Sequence, residues 1–353
     1  MMGLYDYSGV IHFHSEYSHD GRVSIPDILK AARKNGVDFL MLTDHEHLRA
    51  KKAGEEGWHG KTLLIVGEEI SPQQFNHYLV FGLSEPLGET VSGDHYHQDL
   101  INRVRDSGGI GFIAHPDHEG TKMFHVKQYA WMNWAVSGYC GMSIWDFMTD
   151  WQSSLKGYWS GFLGYLFPAL VLKGPKRVTL ERWDRLNRTE KVVGIGELDN
   201  HDTPHNILGI TFSVFPFRRA FRFVRTHILT EIPMTGNKDA DIKTVYDSLR
   251  AGRAYATLAY WGSSKGFGFF VSDGEKSATT GGEFVLRDQA TIKVMVPDHA
   301  RIRVFRNGGL YLEGTGRTLE GRIVEEGVYR TECFIRRFGK ERPWIFSNPI
   351  YVK

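Results

Sequence analysis

The stretch VIHFHSEYSHDG, residues 10–21, holds three histidines and two acidic residues behind an apolar start. His12 and His14 are two positions apart, so both imidazoles can point from the end of a strand toward one ion. Eleven of the 16 histidines of the chain lie in its first 118 residues. Imidazoles and carboxylates together bind divalent metals. The clustering suggests a metal site, although a single His-x-His is common by chance.

Residues of the same types accompany four later apolar runs. Because independent surface placement would not select strand ends repeatedly, we expect the whole set to share one metal site. VDFLMLT leads to Asp44, His45 and His47, TLLIVG leads to Glu68 and Glu69, IGFIA leads to His115, Asp117 and His118, and KVVGIG leads to Glu197, Asp199, His201 and Asp202. A further run, HYLVFGL, begins with His77.

The apolar runs alternate with helical patterns. Ser24 is the predicted N-cap of a helix over SIPDILKAARK, and Gly36 is predicted to end it. A second helix is predicted around DLINRVRD. Continuous apolar strands that alternate with helices indicate an α/β fold, and polar residues after the strands are typical of a βα barrel. The strand ends of such a barrel converge on one rim.

This combination of ligands favours hydrolysis. A bridging carboxylate holds two ions close together, and a water shared by two or three ions loses a proton near neutral pH. We expect the resulting metal-bridging hydroxide to attack phosphorus or an acyl carbon, with the ions stabilising the oxyanion.

The order of the motifs HFH, TDH, GEEIS, NHYLVFGL, AHP and DNH resembles the polymerase and histidinol phosphatase (PHP) family of metal-dependent hydrolases. WDRL, AGRAYATL and PWIFSNPIYV are similar to the branch grouped around the CehA and McbA carbaryl hydrolases, so the resemblance covers essentially the whole chain. It implies a distorted (βα)7 barrel with two or three divalent ions, which are zinc, manganese or iron. The metal ligands it implies are His12, His14, Asp20, His45, Glu69, His77, His115, Asp199 and His201.

Several neighbouring residues have competing interpretations. Glu197 is either an extra carboxylate near the ions or a residue that supports their ligands. His19 competes with Asp20, although the Asp-Gly order matches the family better. Asp44 could orient an imidazole through its second nitrogen, and the family pattern assigns Glu68 to solvent or to a supporting role.

The favoured function is a phosphoesterase that acts on a phosphomonoester or phosphodiester, and the alternative is a carboxyl or carbamate ester hydrolase of the CehA/McbA type. A non-catalytic metal-binding module is a third hypothesis. His47 and His118 are the candidate catalytic residues, as proton donors to the leaving group, or else they are rim residues. A phosphatase should also place a cation near the ions, and Arg22 and Arg49 are the nearest in sequence.

The amino-acid composition limits the classes of partner that the protein is expected to bind. Forty-three basic and 41 acidic residues nearly cancel, so bulk charge gives no support for nucleic-acid binding. Two cysteines are too few for a disulfide framework. The N-terminus lacks the pattern of a signal peptide, and we therefore expect a cytoplasmic enzyme with a small-molecule ester substrate and no transmembrane span.

The chain is predicted to divide into a barrel over residues 1–260 and a small β-sandwich over residues 261–353, where short strand patterns surround the hairpin signal Asn307-Gly308. An apolar insertion lies around residues 150–175. Its core, residues 157–172, is short for a membrane span and is interpreted as a lid, with membrane-surface contact or a homo-oligomer interface as alternatives. FPFRRAFRFVR is predicted to be one amphipathic helix, with anion binding as the minority interpretation.

Overall fold

The computed structural model describes residues 3–71, 75–87, 96–122, 126–207, 210–287 and 289–353. Over these residues the protein is a mixed α/β fold with a central sheet followed by a strand-rich C-terminal region. Each apolar run with polar residues at its end forms a strand, as predicted. The strands of the first part are β1 (Tyr5–Ile11), β2 (Phe39–His45), β3 (Gly57–His59), β4 (Thr62–Ile70), β5 (Tyr78–Phe81), β6 (Ile110–Ile113), β7 (Gly141–Asp146), β8 (Val193–Glu197), β9 (Pro204–Ile207), β10 (Ile210–Ser213), β11 (Val224–Thr230) and β12 (Ala254–Leu258).

The central sheet mixes parallel and antiparallel neighbours. The pairs β1–β2, β2–β4, β6–β7 and β7–β8 are parallel. Strand β5 runs antiparallel to both of its neighbours, β4 and β6. The chain beyond β8 also lies beside the end of β1, because Leu198 N–H donates to Ile11 O and His14 N–H donates to Asn200 O.

Helices cover the sheet, and their limits follow the local signals. Ser24 caps α1 by accepting a hydrogen bond from Asp27 N–H, and Gly36 follows the helix with φ +61°, as predicted. None of the helices among the described residues is long and apolar enough to cross a membrane. The helices are α1 (Ile25–Lys34), α2 (Arg49–Lys52), α3 (Tyr96–Asp106), α4 (Phe147–Ser153), α5 (Tyr158–Leu166), α6 (Pro168–Val171), α7 (Arg177–Leu186), α8 (Phe217–Ala220) and α9 (Lys238–Arg250).

The prediction of one amphipathic helix over FPFRRAFRFVR was wrong in extent. Only four residues form α8, and the chain enters β11 at Val224, which pairs with Leu258 of β12. The apolar residues of the pattern are nevertheless buried, as the spacing predicts. Arg225 is also buried and donates to Phe221 O and Asn35 O, so it does not belong to an exposed basic face.

The C-terminal region consists of strands and is consistent with a sandwich. Asn307 and Gly308 have φ values of 51° and 84°, the conformation of a type I′ hairpin turn, as predicted. The two strand patterns before this turn form one long strand, interrupted by a register shift between Met295 and Ala300. The strands are β13 (Gly268–Ser272), β14 (Ser277–Thr279), β15 (Glu283–Phe284), β16 (Thr291–Arg306), β17 (Gly309–Arg322), β18 (Gly327–Arg337), β19 (Lys340–Ser347) and β20 (Ile350–Val352).

The C-terminal strands are joined to the central sheet by hydrogen bonds and by a buried ion pair. Strand β12 pairs antiparallel with β19. Arg330 of β18 donates two hydrogen bonds to Asp184 of α7, at 2.6 and 2.9 Å. Asn348 donates to Gly194 O and Ala254 O and accepts from Gly194 N–H. These contacts hold the last strands against the elements that carry the candidate site.

Candidate metal centre

The nine predicted metal ligands lie at one edge of the central sheet. Because β5 runs antiparallel to β4 and β6, the start of β5 lies at the same edge as the ends of its two neighbours. The ligands are His12 and His14 after β1, Asp20 in the loop that follows, His45 at the end of β2, Glu69 in β4, His77 before β5, His115 after β6, and Asp199 and His201 after β8.

The buried Glu69 carboxylate lies in the middle of this set, and five imidazoles surround it. This contact brings together the two donor types, imidazole and carboxylate, that bind divalent metals in proteins. Its Oε2 is 3.1 Å from His12 Nε2, 3.3 Å from His14 Nε2 and 3.5 Å from His45 Nδ1. Its Oε1 is 2.7 Å from His77 Nδ1 and 3.3 Å from His115 Nε2.

Asp20 lies between two further imidazole nitrogens. Its Oδ2 is 3.1 Å from His45 Nε2 and 3.1 Å from His201 Nε2, while the rings of His201 and His14 stack at 4.0 Å. Among the residues that the structure describes, three groups of potential ligand atoms are compact enough to hold an ion, with all atoms of a group within 4.8 Å of one another. They are His14, Asp20, His45 and His201, then His12, Glu69 and His115, and finally His12, His14 and Asp199.

His14 provides the clearest sign that these residues fit a metal ion. The side chain is fully buried, and neither ring nitrogen makes a hydrogen bond, although Nε2 is close to the Glu69 carboxylate. Burial, followed by the charge of His201, lowers the pKa of His14 to about 3. A neutral buried imidazole with unsatisfied nitrogens is costly in a folded protein unless it coordinates a ligand, and a divalent cation is the ligand that this donor set prefers.

The carboxylates of the centre are ionised. Burial opposes ionisation of Glu69, but His12 and His45 outweigh it and hold the pKa of Glu69 well below its ordinary value. Burial is likewise outweighed at Asp199, where His12 and His201 lower the pKa of the carboxyl. Against the effect of burial, the same carboxylates raise the pKa of His45 and His115 to about 9, so an incoming divalent cation would displace protons from these rings.

The backbone carries strain at three of the ligands. His12, His115 and Asp199 have φ values of 67°, 25° and 50°, in the left-handed half of conformational space that residues with a Cβ seldom adopt. Each such residue costs about 1–3 kcal/mol, which the surrounding structure must offset. Strain of this kind is concentrated at functional sites, and nothing in the sequence signals it.

Glu197 supports the centre from the side of the strands. It is fully buried, its Oε2 accepts a hydrogen bond from His12 Nδ1 at 2.8 Å, and its Oε1 accepts one from His115 N–H at 2.5 Å. Of its two interpretations, the structure favours support of the ligands. The bond to Nδ1 places the remaining lone pair of His12 on Nε2, which points toward Glu69 and Asp199.

Two other acidic residues occupy positions that differ from expectation. Asp44 accepts hydrogen bonds from Ser15 N–H and Ser15 Oγ, so its carboxylate orients the loop after β1 and not an imidazole. Glu68 is fully buried and accepts a hydrogen bond from Leu87 N–H at 2.7 Å, which excludes the solvent position considered for it.

The predicted ligands lie beside a cavity of about 460 Å³. Seven of the nine line it, together with His19, Ser71, Lys127 and Tyr129. Lys127 and Tyr129 were not predicted to belong to the site, because they lie in an irregular segment between β6 and β7 that has no periodic pattern. Arg22 and Arg49, the cations nearest in sequence, are not among the residues that line this cavity.

A second cavity of about 300 Å³ adjoins the first. Asp199 and His201 line both cavities, and Tyr129 belongs to both walls as well. The remaining walls are largely apolar and include Trp151 and Phe215. The centre therefore has a polar pocket on one side and an apolar pocket on the other.

The two candidate proton donors are held by other groups. His47 Nε2 is 2.8 Å from Tyr17 O, and the residue lines neither cavity. His118 lines the apolar cavity, where its Nδ1 accepts from Tyr129 N–H and its Nε2 donates to Gln152 Oε1 at 3.0 Å. Burial, together with His115, lowers the pKa of His118 to about 4, so the ring is neutral near pH 7. These contacts favour positioning roles over proton donation.

Comparison with known proteins identifies the first part of the chain. Residues 11–107 match the model of the PHP domain. The chain is 27% identical over 132 residues to a probable histidinol-phosphatase of Thermotoga maritima, covering 31% of this chain and 54% of the relative. It is 26% identical over 124 residues to the uncharacterized protein MJ1587 of Methanocaldococcus jannaschii, covering 30% and 66%. Residues 11–107 are therefore a PHP domain with distant homology to a histidinol phosphatase.

Two solved structures show weak overall similarity. PsfC from Pseudomonas syringae has a TM-score of 0.39 at 13% identity, covering 66% of this chain and 85% of its own. An amidohydrolase from Chromobacterium violaceum, with bound sulfate and no metal, has a TM-score of 0.32 at 14% identity, covering 59% and 92%. The match to the PHP domain includes six of the nine predicted ligands, and the remaining three, His115, Asp199 and His201, follow β6 and β8, beyond its end.

Proposed function

We propose that this protein is a metal-dependent hydrolase whose centre binds two or three divalent ions through the nine predicted ligands. The observation that carries the proposal is the convergence of five imidazoles on the buried carboxylate of Glu69. We further infer that the pairings from β1 to β8, together with the contact between the ends of these two strands, form a distorted (βα)7 barrel of the PHP type.

The residues of the chain divide the work at this centre. When bound, divalent zinc, manganese or iron supplies Lewis acidity and lowers the pKa of water toward neutrality. Glu69 and the surrounding histidines hold that charge in place, and Glu197 keeps His12 in the tautomer that coordinates. Lys127 and Tyr129, on the wall of the larger cavity, are positioned to contact a polar substrate group.

A phosphate ester is the favoured substrate. Lys127 provides a cation on the cavity wall, which is what binding of a phosphate dianion requires. The alternative is a carboxyl or carbamate ester hydrolase of the CehA/McbA type. The apolar cavity supports this alternative, because it adjoins Asp199 and His201 and has the volume to receive an aryl or acyl group.

The test combines metal analysis with three chromogenic substrates. Protein purified without chelators is analysed for zinc, manganese and iron, and rates are measured on p-nitrophenyl phosphate, bis-p-nitrophenyl phosphate and p-nitrophenyl acetate. His14→Ala removes a buried ligand, and His299→Ala makes the same chemical change at an exposed position of the C-terminal region. We expect bound metal and phosphoester turnover, with a loss of at least about 100-fold in His14→Ala and no change in His299→Ala.

The other outcomes separate the hypotheses. Absence of metal from wild-type protein would overturn the proposal as a whole. Turnover of the acetate alone, lost in His14→Ala, would favour the carboxyl or carbamate ester hydrolase. Bound metal without turnover of any of the three substrates would favour a non-catalytic metal-binding module.

A further inference from the structure

Helix α5 presents its apolar face to solvent. Trp159, Phe162, Leu163 and Leu166, at the i, i+3, i+4, i+7 spacing of one helical face, are 81%, 55%, 52% and 43% exposed. Phe167 and Leu170 of the next turn extend the same exposed surface. In a water-soluble helix this face normally packs against the core. We call these six residues the apolar ridge.

The opposite side of α5 is fixed to the protein through glycine. Gly161 and Gly164 are buried, and Trp151 Nε1 donates a hydrogen bond to Gly164 O at 3.0 Å. A Cβ at Gly164 would approach Leu155 Cδ2 to 3.0 Å and Trp151 Nε1 to 3.3 Å. Because α5 lies so close to α4, the side of α5 that faces the protein has no room for large side chains. The large apolar residues of the ridge therefore lie on the solvent side.

The surroundings of the ridge are basic. In a chain with 41 acidic residues, residues 151–180 and residues 203–230 contain none. Of their eight lysines and arginines, five are neither buried nor ion-paired among the described residues: Lys156, Lys173, Arg218, Arg219 and Arg222. The two stretches meet where Arg219 donates hydrogen bonds to Tyr165 O and Leu166 O. Lys156 and Lys173 flank the ridge and line one groove with Arg342 and with Glu341, whose carboxylate is paired with Arg301. Among the residues that the structure describes, neither lysine has an ion-pair partner.

We infer that the apolar ridge inserts into the surface of an anionic lipid bilayer. A 16-residue apolar segment is too short to span a bilayer, but an amphipathic helix can bury its apolar face about 5–10 Å deep at the interface. Tryptophan favours that interface, and neighbouring lysines and arginines are attracted to anionic lipid headgroups. This inference concerns association and is independent of the proposed hydrolase activity.

Charge favours a bilayer over a second copy of the chain. A two-fold dimer would place each ridge against the same surface of its partner. Lys156 and Lys173 of both copies would then approach one another, together with the arginines near Arg219. Repulsion between two basic rims opposes that contact, whereas an anionic bilayer complements the rim and the apolar ridge at once.

Vesicle sedimentation of the full chain tests the inference. We expect binding to phosphatidylcholine vesicles that contain phosphatidylglycerol, weaker binding to phosphatidylcholine alone, and further weakening by salt. Trp159→Ser combined with Phe162→Ser should lower the partition coefficient about tenfold or more for each residue removed. Ile232→Ser, an equally apolar change at a 63% exposed site after β11, should leave binding unchanged.

A second pair of substitutions separates charge from apolar contact. Lys156→Gln and Lys173→Gln should each weaken binding to the anionic vesicles about fivefold and leave binding to neutral vesicles unaltered. Equal binding by wild type and Trp159→Ser/Phe162→Ser, or no binding to anionic vesicles, would overturn the inference. A wild-type dimer in sedimentation velocity that the double variant abolishes, without vesicle binding, would assign the ridge to a second copy of the chain.

Discussion

Substitution of Glu197 by glutamine tests how the centre controls the tautomer of His12. The carboxylate accepts hydrogen bonds from His115 N–H and from His12 Nδ1, both buried. Glutamine has one oxygen for these two donors. Because the backbone N–H of His115 can only donate, the amide oxygen should continue to accept its hydrogen bond. The amide NH2 group should then face His12 Nδ1.

The consequence for His12 follows from the chemistry of imidazole. An NH2 group opposite Nδ1 favours the tautomer with the proton on Nε2, the nitrogen that lies 3.1 Å from Glu69 Oε2 and 3.4 Å from Asp199 Oδ1. A protonated Nε2 cannot coordinate. Loss of such a supporting bond weakens metal binding by about 10- to 100-fold, equivalent to about 1.4–2.8 kcal/mol.

Competition of the protein with a chromogenic zinc chelator measures this affinity. Asp44→Asn is the matched control, since it also removes a buried negative charge beside a ligand, while its hydrogen bonds are made to Ser15. We expect Asp44→Asn to change the zinc affinity less than about threefold. Wild-type affinity in Glu197→Gln would refute the argument from the tautomer. An equal loss of zinc affinity in both variants would show that the total charge near the centre, and not the tautomer of His12, determines the affinity.

Three further predictions concern stability, each measured by urea unfolding. Arg330→Ala leaves Asp184 buried without its cation and should lower the free energy of unfolding by about 3–5 kcal/mol. Arg303→Ala, which removes a half-buried cation from Glu313, should cost about 1 kcal/mol or less, and similar losses in the two variants would contradict a dominant buried pair. Both Asn307→Ala and Asn307→Gly lose the hydrogen bond that Asn307 Oδ1 accepts from Val328 N–H, but Asn307→Ala should cost about 1–2 kcal/mol more because φ at this position is 51°; equal costs would exclude backbone strain as the cause. Burial raises the pKa of Asp150 to about 6, so the folded protein keeps a proton that the unfolded chain releases. The stabilisation from the protonated Asp150 carboxyl is therefore lost as the pH rises from about 4 through 6. The resulting decrease in the free energy of unfolding over this pH range should be absent in Asp150→Asn. An unchanged slope in that variant would show that another group is responsible.

Much of the framework could be predicted because its signals are local. Ser24 and Gly36 delimit α1, and Asn307-Gly308 forms the predicted hairpin turn. The positions of the ligands relative to the strands also follow from apolar runs that end in polar residues. Parallel pairing brings together the ends of β1, β2 and β4 and those of β6, β7 and β8. Strand β5, whose antiparallel direction the sequence does not predict, joins the two groups.

Other features depend on tertiary structure. The spacing of Phe217 to Val224 suits a helix, yet Val224 pairs in the sheet, and that pairing outweighs the local pattern. The bond between Glu197 and His12 joins residues 185 positions apart, so no local rule reveals it. Lys127 and Tyr129 line the cavity from an irregular segment, where neither hydrophobic periodicity nor composition indicates which way a side chain points.

His12 and Asp199 have left-handed backbone, which lowers the stability of the fold, although both residues are predicted ligands of the centre. Glycine adopts these φ values at no steric cost, whereas histidine and aspartate do not. In protein freed of metal by a chelator, Asp199→Gly should therefore unfold at a higher urea concentration than Asp199→Ala, which loses the same carboxylate but keeps the left-handed strain. The rim of the sheet is a locally frustrated region that the rest of the fold supports. Because glycine carries no ligand atom, relief of this strain would cost the centre one of its predicted ligands.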